Sequence, residues 1–152
     1  MAGVLPLGKF VMTEKNGIVK VGLGVIIEKD GQILIGKRVG QHAPYYSIPG
    51  GTLEPGETFE QGAVREIKEE TNLDIVNPEV IAVTNNLETF KKESVHYISI
   101  ILVVKSFEGD TQIMEPDKIT EWQWVDPKKL PQPHFDGSRQ GVECYLDNKF
   151  YK

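Results

Sequence analysis

The chain has one cysteine in 152 residues, Cys144, so an intramolecular disulfide and a cysteine-rich zinc site are both excluded. A reducing compartment suits such a chain, and the expected location is the cytoplasm. No apolar run approaches the roughly 18 residues needed to cross a bilayer. The opening stretch "MAGVLPLGKFVM" lacks a basic start, a sustained apolar core and a clear cleavage site, so no targeting leader is expected. Basic residues are also scarce: 17 Lys and Arg stand against 22 Asp and Glu, a net charge of -5. Bulk nucleic acid and anionic membranes reward clustered cations, so neither is an expected partner. An anionic substrate would need a cation as go-between. Low-complexity tracts and repeats are missing too, and the hydrophobic (39%) and charged (26%) fractions are those of a globular chain. One domain over residues 1–152 is expected.

What the chain does have is patterned. In "VKVGLGVIIE" Val19, Val21, Leu23, Val25 and Ile27 alternate, "KDG" supplies a turn, and "QILIGKR" follows, which predicts a β-hairpin. "QHAPYYSIPGG" reads as a loop punctuated by Pro and Gly. Thr58 to Thr71 reads as a helix, opened by the capping-box spacing of Thr58 and Gln61 and closed by Asn72, which tolerates the left-handed conformation. "EVIAVTNN", "HYISIILVV" and "EWQWVD" read as strands, and a last helix is expected over about Gly137 to Leu146. Strands around one central helix, with another near the end, predict an α+β sandwich with a mixed sheet.

The segment Gly50–Leu73, "GGTLEPGETFEQGAVREIKEETNL", carries six glutamates. On a helix Glu66, Glu69 and Glu70 fall at i, i+3 and i+4 and share one face, while Ala63, Val64 and Ile67 form an apolar stripe beside it. A solvated charged face would account for "REIKEE" alone. Like charges about 5 Å apart repel by roughly 3 kcal/mol at an effective dielectric of 20, so a partly buried face of this kind calls for a neutralising cation. Hard divalent ions take carboxylate oxygen and bridge to phosphate. Pro49, Gly50, Gly51, Pro55 and Gly56 make the loop before the helix, and Glu57 stands just ahead of the cap.

Gly51, Glu57, Arg65-Glu66-Ile67, Glu69-Glu70 and Asn72-Leu73 stand at the spacing of the Nudix box, and the segment 51–73 closely resembles that signature of Nudix hydrolases. Asn72 replaces the box's last glycine. "VGLGVII", "LIGKR", "IPGG", "HYISI" and "MEPDKITEWQWVDPKKLPQP" extend the resemblance to the MutT-like nucleotide-pool-cleaning branch over about residues 20–133. The resemblance implies a Nudix-type α/β/α sandwich and Mg²⁺-dependent hydrolysis, with Mn²⁺ as a substitute. It implies a small nucleotide substrate: a nucleoside triphosphate, an oxidised or abnormal purine deoxynucleotide among the candidates, cut to monophosphate and pyrophosphate. Nucleotide sugars, ADP-ribose, dinucleoside polyphosphates, capped RNA ends and isoprenoid diphosphates share the same diphosphate core and stay open. A binding module that has lost hydrolysis is a further alternative, which the intact box glutamates oppose. Homodimers occur in the branch.

By the same resemblance Glu66, Glu69 and Glu70, with the Gly50 carbonyl, hold the metal. Glu57 and Arg65 support them, Arg65 as a brace or simply a structural ion pair. The general base is Glu66 or a loop carboxylate, for which Glu115 is the candidate with Asp117 behind it, unless both belong to an ordinary acidic turn. Gly51, Tyr46, Ser47, Ser99, Tyr97 and Arg38 are candidate substrate contacts, though alternation in "HYISI" separates Tyr97 and Ser99 from His96 and Ile98. The competing readings are a core tyrosine, a satisfied strand histidine at His96 and an exposed basic pair at Lys37 and Arg38. Trp122 and Trp124 share a strand face and are expected in the core. Gly62, inside the helix, admits a close neighbour or has no special role.

Overall fold

The computed structural model describes residues 17–152. The expectation of no leader, and the first 16 residues of the expected single domain, lie outside the described residues.

The predicted hairpin is β1 (Lys20–Lys29) and β2 (Gln32–Arg38), paired at Lys29↔Gln32. Asp30 and Gly31 turn between them with φ of 51° and 77°, the left-handed pair that matches the natural strand twist. The segment read as a loop holds two short strands, β3 (Tyr46–Ser47) and β4 (Gly50–Thr52). These pair with β2 and β1 respectively, contacts that no local pattern announces.

The charged helix is α1 (Phe59–Thr71). The Thr58 hydroxyl accepts from the Gln61 N–H, the Gln61 side chain accepts from the Thr58 N–H, and Asn72 closes the helix at φ 65°. After it come β5 (Asp74–Val76), β6 (Glu79–Thr84), α2 (Leu87–Glu93), β7 (Tyr97–Val104), β8 (Ser106–Glu108), β9 (Ile119–Val125) and α3 (Asp136–Asp147). Neither α2 nor the small β5–β8 ribbon was expected from local pattern.

Strand β1 is the axis of the main sheet. It runs parallel to β7 from Lys20↔Tyr97 to Ile27↔Val104, and β7 pairs antiparallel with β6. On its other edge β1 pairs with β4 near its start and β2 near its end, and β2 carries β3 and β9. Alternation then makes two cores. Leu23, Val25, Ile27, Leu102 and Val104 face α1, meeting Ala63 and Ile67, while Ile26, Ile101 and Val103 face α3, meeting Val142 and Cys144. A helix packed on each face of a mixed sheet is the expected α/β/α sandwich. Trp122 and Trp124 pack against the core on the α1 side, as expected. Gly62 lets α1 approach β1: a Cβ there would lie 2.5 Å from Leu23 Cδ1.

Candidate active site

The loop before α1 is tied to the helix by Arg65. Its Nε and Nη2 donate to the two Glu57 oxygens (2.5 and 3.0 Å), Nη1 donates to Glu66 (2.8 Å) and Glu69 (3.3 Å), and Nη2 also donates to the Thr52 carbonyl (3.0 Å). Hydrogen bonds from Arg65 and from the Glu54 amide hold the Glu57 carboxyl down at about 2. One planar guanidinium thus spans the end of β4, the loop and two turns of α1.

Glu66 and Glu70, one turn apart, face β4. Gly51 lies directly against the Glu66 carboxylate, where a Cβ would come within 2.1 Å of its Cδ. The Gly50 N–H donates to Glu70 Oε2 at 3.1 Å. Glu70 is only 5% exposed, and burial pushes its carboxyl up to about 8, against the opposing pull of the Gly50 hydrogen bond and Arg38. Burial is also the main cause that raises Glu66, with Arg65 opposing. The negative charge of Glu115, itself bonded to Lys118 at 2.7 Å, raises both further.

The cation nearest Glu70 among the described residues is Arg38, Nη1 to Oε1 at 4.0 Å, and its Nε is buried with no hydrogen-bond partner among them. Buried carboxylate oxygens in excess of local positive charge are the donor chemistry that a hard divalent ion takes. The set Glu66, Glu69 and Glu70 is nevertheless divided. Glu69 is 53% exposed and points to Arg65, and no three metal-ligating side chains converge at one point among the described residues. A three-residue step along the helix carries Glu69 away from the wall that the four-residue step from Glu66 to Glu70 follows.

Glu66, Glu70, Gly50, Gly51 and Arg38 line one cleft of about 650 Å³, together with Ser47, Tyr97 and Ser99. Tyr46 does not belong to it. It packs into the α3-side core, because neighbours on a strand face opposite ways and β3 turns Ser47 to the cleft. Glu57, Arg65, Glu69, Glu115 and Asp117 stand outside its lining, and so does Lys37, whose ammonium sits 5.8 Å from the Tyr46 ring. His96 is within 3.1 Å of the Asn85 carbonyl and is not a cleft residue, consistent with its satisfied reading. Sequence reasoning missed Asn86, Phe135 and Ser138, all of which line the cleft. They come from the starts of α2 and α3, and nothing nearby in sequence links those helix starts to the Nudix box.

The protein-family description "NUDIX domain" matches residues 19–143. The chain belongs to the Nudix family. An ADP-ribose pyrophosphatase of Methanocaldococcus jannaschii is 34% identical over 119 residues, 76% of this chain and 67% of that protein. A Bacillus subtilis protein provisionally named an 8-oxo-dGTP diphosphatase is 29% identical over 107 residues, 70% of this chain and 66% of that protein. The crystal structure of a MutT Nudix hydrolase from Burkholderia pseudomallei superposes with a TM-score of 0.76 at 28% identity, covering 83% of this chain and 97% of that one. This Nudix protein is a hydrolase of phosphoanhydride bonds, and the Burkholderia pseudomallei structure it is similar to is of MutT type. Nudix hydrolases use divalent metal ions and act on small nucleotides. No helix among the described residues is long and apolar enough to cross a membrane.

Proposed function

We propose that this Nudix hydrolase converts a nucleoside triphosphate to the monophosphate and pyrophosphate with Mg²⁺, for which Mn²⁺ can substitute, and that oxidised or abnormal purine deoxynucleotides are among its substrates. One observation carries the reading: the buried Glu70 and the partly buried Glu66 share a cleft of about 650 Å³ with an arginine whose Nε–H has no partner among the described residues. Anion-facing and cation-holding groups thus stand side by side, with a hydroxyl-bearing wall left for the rest of a nucleotide.

Glu66 and Glu70, with the Gly50 carbonyl, are the residues that would hold Mg²⁺. When bound, the ion supplies positive charge against the diphosphate oxygens and Lewis-acid activation of water. Arg38 offers its guanidinium to a phosphate oxygen, and Gly51 lets the chain run close to Glu66. Arg65 and Glu57 hold α1 and the loop in register, while Glu69, bonded to Arg65, would have to leave it to help hold the ion. The proton of the attacking water is taken by Glu66, which lines the cleft, or by the loop carboxylate Glu115, which stands outside its lining. The same reading takes residues 1–152 as one domain working in the cytoplasm on free nucleotides, with a homodimer as one form.

ADP-ribose is a second reading, favoured by the 34% identity to an ADP-ribose pyrophosphatase. Incubating the protein and Mg²⁺ with canonical and oxidised nucleoside triphosphates, ADP-ribose and nucleotide sugars, then weighing the products, decides between them. Monophosphate plus pyrophosphate is the expected outcome. Cleavage of ADP-ribose with no turnover of triphosphates would reassign the substrate.

A further inference from the structure

Two cleft serines have opposite hydrogen-bonding polarity. Thr84 Oγ1 donates to Asn86 Oδ1 at 2.6 Å, and Asn86 Nδ2 donates to Ser99 Oγ at 2.7 Å. Having accepted from Asn86, Ser99 keeps its own proton for the cleft. Ser138 is set the other way. Its oxygen accepts from the Ile48 N–H at 2.9 Å and lies 2.7 Å from His134 Nε2. The other imidazole nitrogen, Nδ1, lies 3.2 Å from the Pro131 carbonyl, which can only accept, so Nδ1 carries the ring proton and Nε2 is bare. Burial keeps the ring neutral by holding His134 down at about 4. Ser138 therefore donates to Nε2, and what remains for the cleft is a lone pair.

Close packing fixes this arrangement. Asn86, Ser138 and His134 are all buried. Gly137, beside Ser138, lies so close to the Asn86 amide that a Cβ would come within 2.6 Å of Oδ1. The first turn of α3 and the start of α2 are thereby locked together, and Ser138 cannot turn its proton to the cleft without breaking a buried hydrogen bond.

The geometry points to Ser99 and Ser138 as the pair that reads the polar edge of a nucleobase, Ser99 donating and Ser138 accepting. The ligand must then bring an N–H donor to Ser138 as well as an acceptor to Ser99. Hypoxanthine, guanine and adenine rings carry both, whereas unsubstituted purine has acceptors only and an isoprenoid chain has neither. A buried acceptor left unpaired is what rejects the ligand lacking the donor. The inference rests on the proposed reading of the cleft as the nucleotide site, though not on which phosphate bond is cut.

Calorimetric titration with three nucleoside 5′-monophosphates tests it without turnover: inosine, adenosine and purine riboside monophosphate. The wild-type protein should bind the first two at least tenfold tighter than the third. Ser138→Ala should shrink that gap below threefold, whereas Ser99→Ala should weaken all three alike and keep it. His134→Leu releases the Ser138 proton, so it should close the gap by tightening purine riboside monophosphate, a gain that mere structural damage would not produce. Should Ser138→Ala fail to fold, this second variant carries the test. Equal binding of all three by the wild type, or a gap that survives both Ser138→Ala and His134→Leu, would overturn the inference. If the gap is present but triphosphates are not hydrolysed, the substrate reading fails and the edge-reading pair stands. Turnover of triphosphates without the gap gives the converse.

Discussion

The Cα of Gly51 lies against the Glu66 carboxylate, so closely that a Cβ would come 2.1 Å from Cδ and 2.2 Å from Oε2. A strand and a helix meet there through one glycine and one charged group, and nothing larger than hydrogen fits between them.

Gly51→Ala should therefore displace Glu66 and leave the rest of the fold in place, because the atom that must move is the far end of a flexible side chain. The expected result is a fall in kcat of about tenfold or more with a stability change under about 1 kcal/mol. Steady-state kinetics beside a thermal melt would show it, and unchanged kcat would mean that Glu66 is not needed where it lies.

Glu66→Gln and Glu70→Gln keep the shape of the two carboxylates and remove their charge. Both variants should fold, lose kcat by orders of magnitude and no longer gain thermal stability from Mg²⁺. In the wild type the gain should follow the ligand-linkage relation, about 2.7 kcal/mol when Mg²⁺ is at a hundred times its Kd, and chelation should abolish it. Near-normal turnover in both variants would sink the metal-site assignment.

Asp136, buried at the start of α3, accepts from the Glu88 and Thr89 amides (3.0 and 3.3 Å) and from the Thr89 hydroxyl (2.5 Å). It caps α2 in place of Asn86, whose side chain is turned to Thr84 and Ser99. Removing the acceptor leaves buried donors unpaired, so Asp136→Ala should cost about 2–4 kcal/mol in chemical denaturation. Hydrogen exchange should quicken first in α2, and full protection there would contradict the capping role.

His134 gives the protein a pH dependence of predictable sign. Burial sets its folded-state pKa at about 4, below the 6.5 of an exposed imidazole. The stability it contributes is complete above about pH 6.5 and is lost as pH falls toward 4, up to roughly 3 kcal/mol. His134→Asn should therefore lose stability less steeply than the wild type over that interval. Parallel pH profiles of the two proteins in urea denaturation would refute it.

The parts of the fold legible in the sequence are those held by neighbours in the chain. Helix α1 could be read from end to end because its capping box joins Thr58 to Gln61 and its terminator is Asn72, all within one segment. The β1–β2 hairpin was equally plain, since alternation and a two-residue turn carry their own register. Helix α2 was not legible: its cap, Asp136, comes 48 residues after the amide it holds at Glu88. Strands β3 and β4 looked like loop because short segments become strands only through the partners they find, here β2 and β1.

The same division runs through the site. Sequence alone determined that Arg65, Glu66, Glu69 and Glu70 stand within two turns of one helix, because a helix turns by a constant angle, and the resemblance of that segment, with Glu57 ahead of it, to the Nudix box implied the chemistry. Only the tertiary structure decided which of those carboxylates is buried: Gly50 and Gly51 come up against Glu70 and Glu66, while Arg65 keeps Glu69 at the surface. It also turned Ser47 rather than Tyr46 into the cleft, and brought Asn86 and Ser138 from two distant helix starts to the cleft wall. Burial and hydrogen-bond direction belong to the packed chain, since each depends on groups that sequence separates and folding brings within 3 Å.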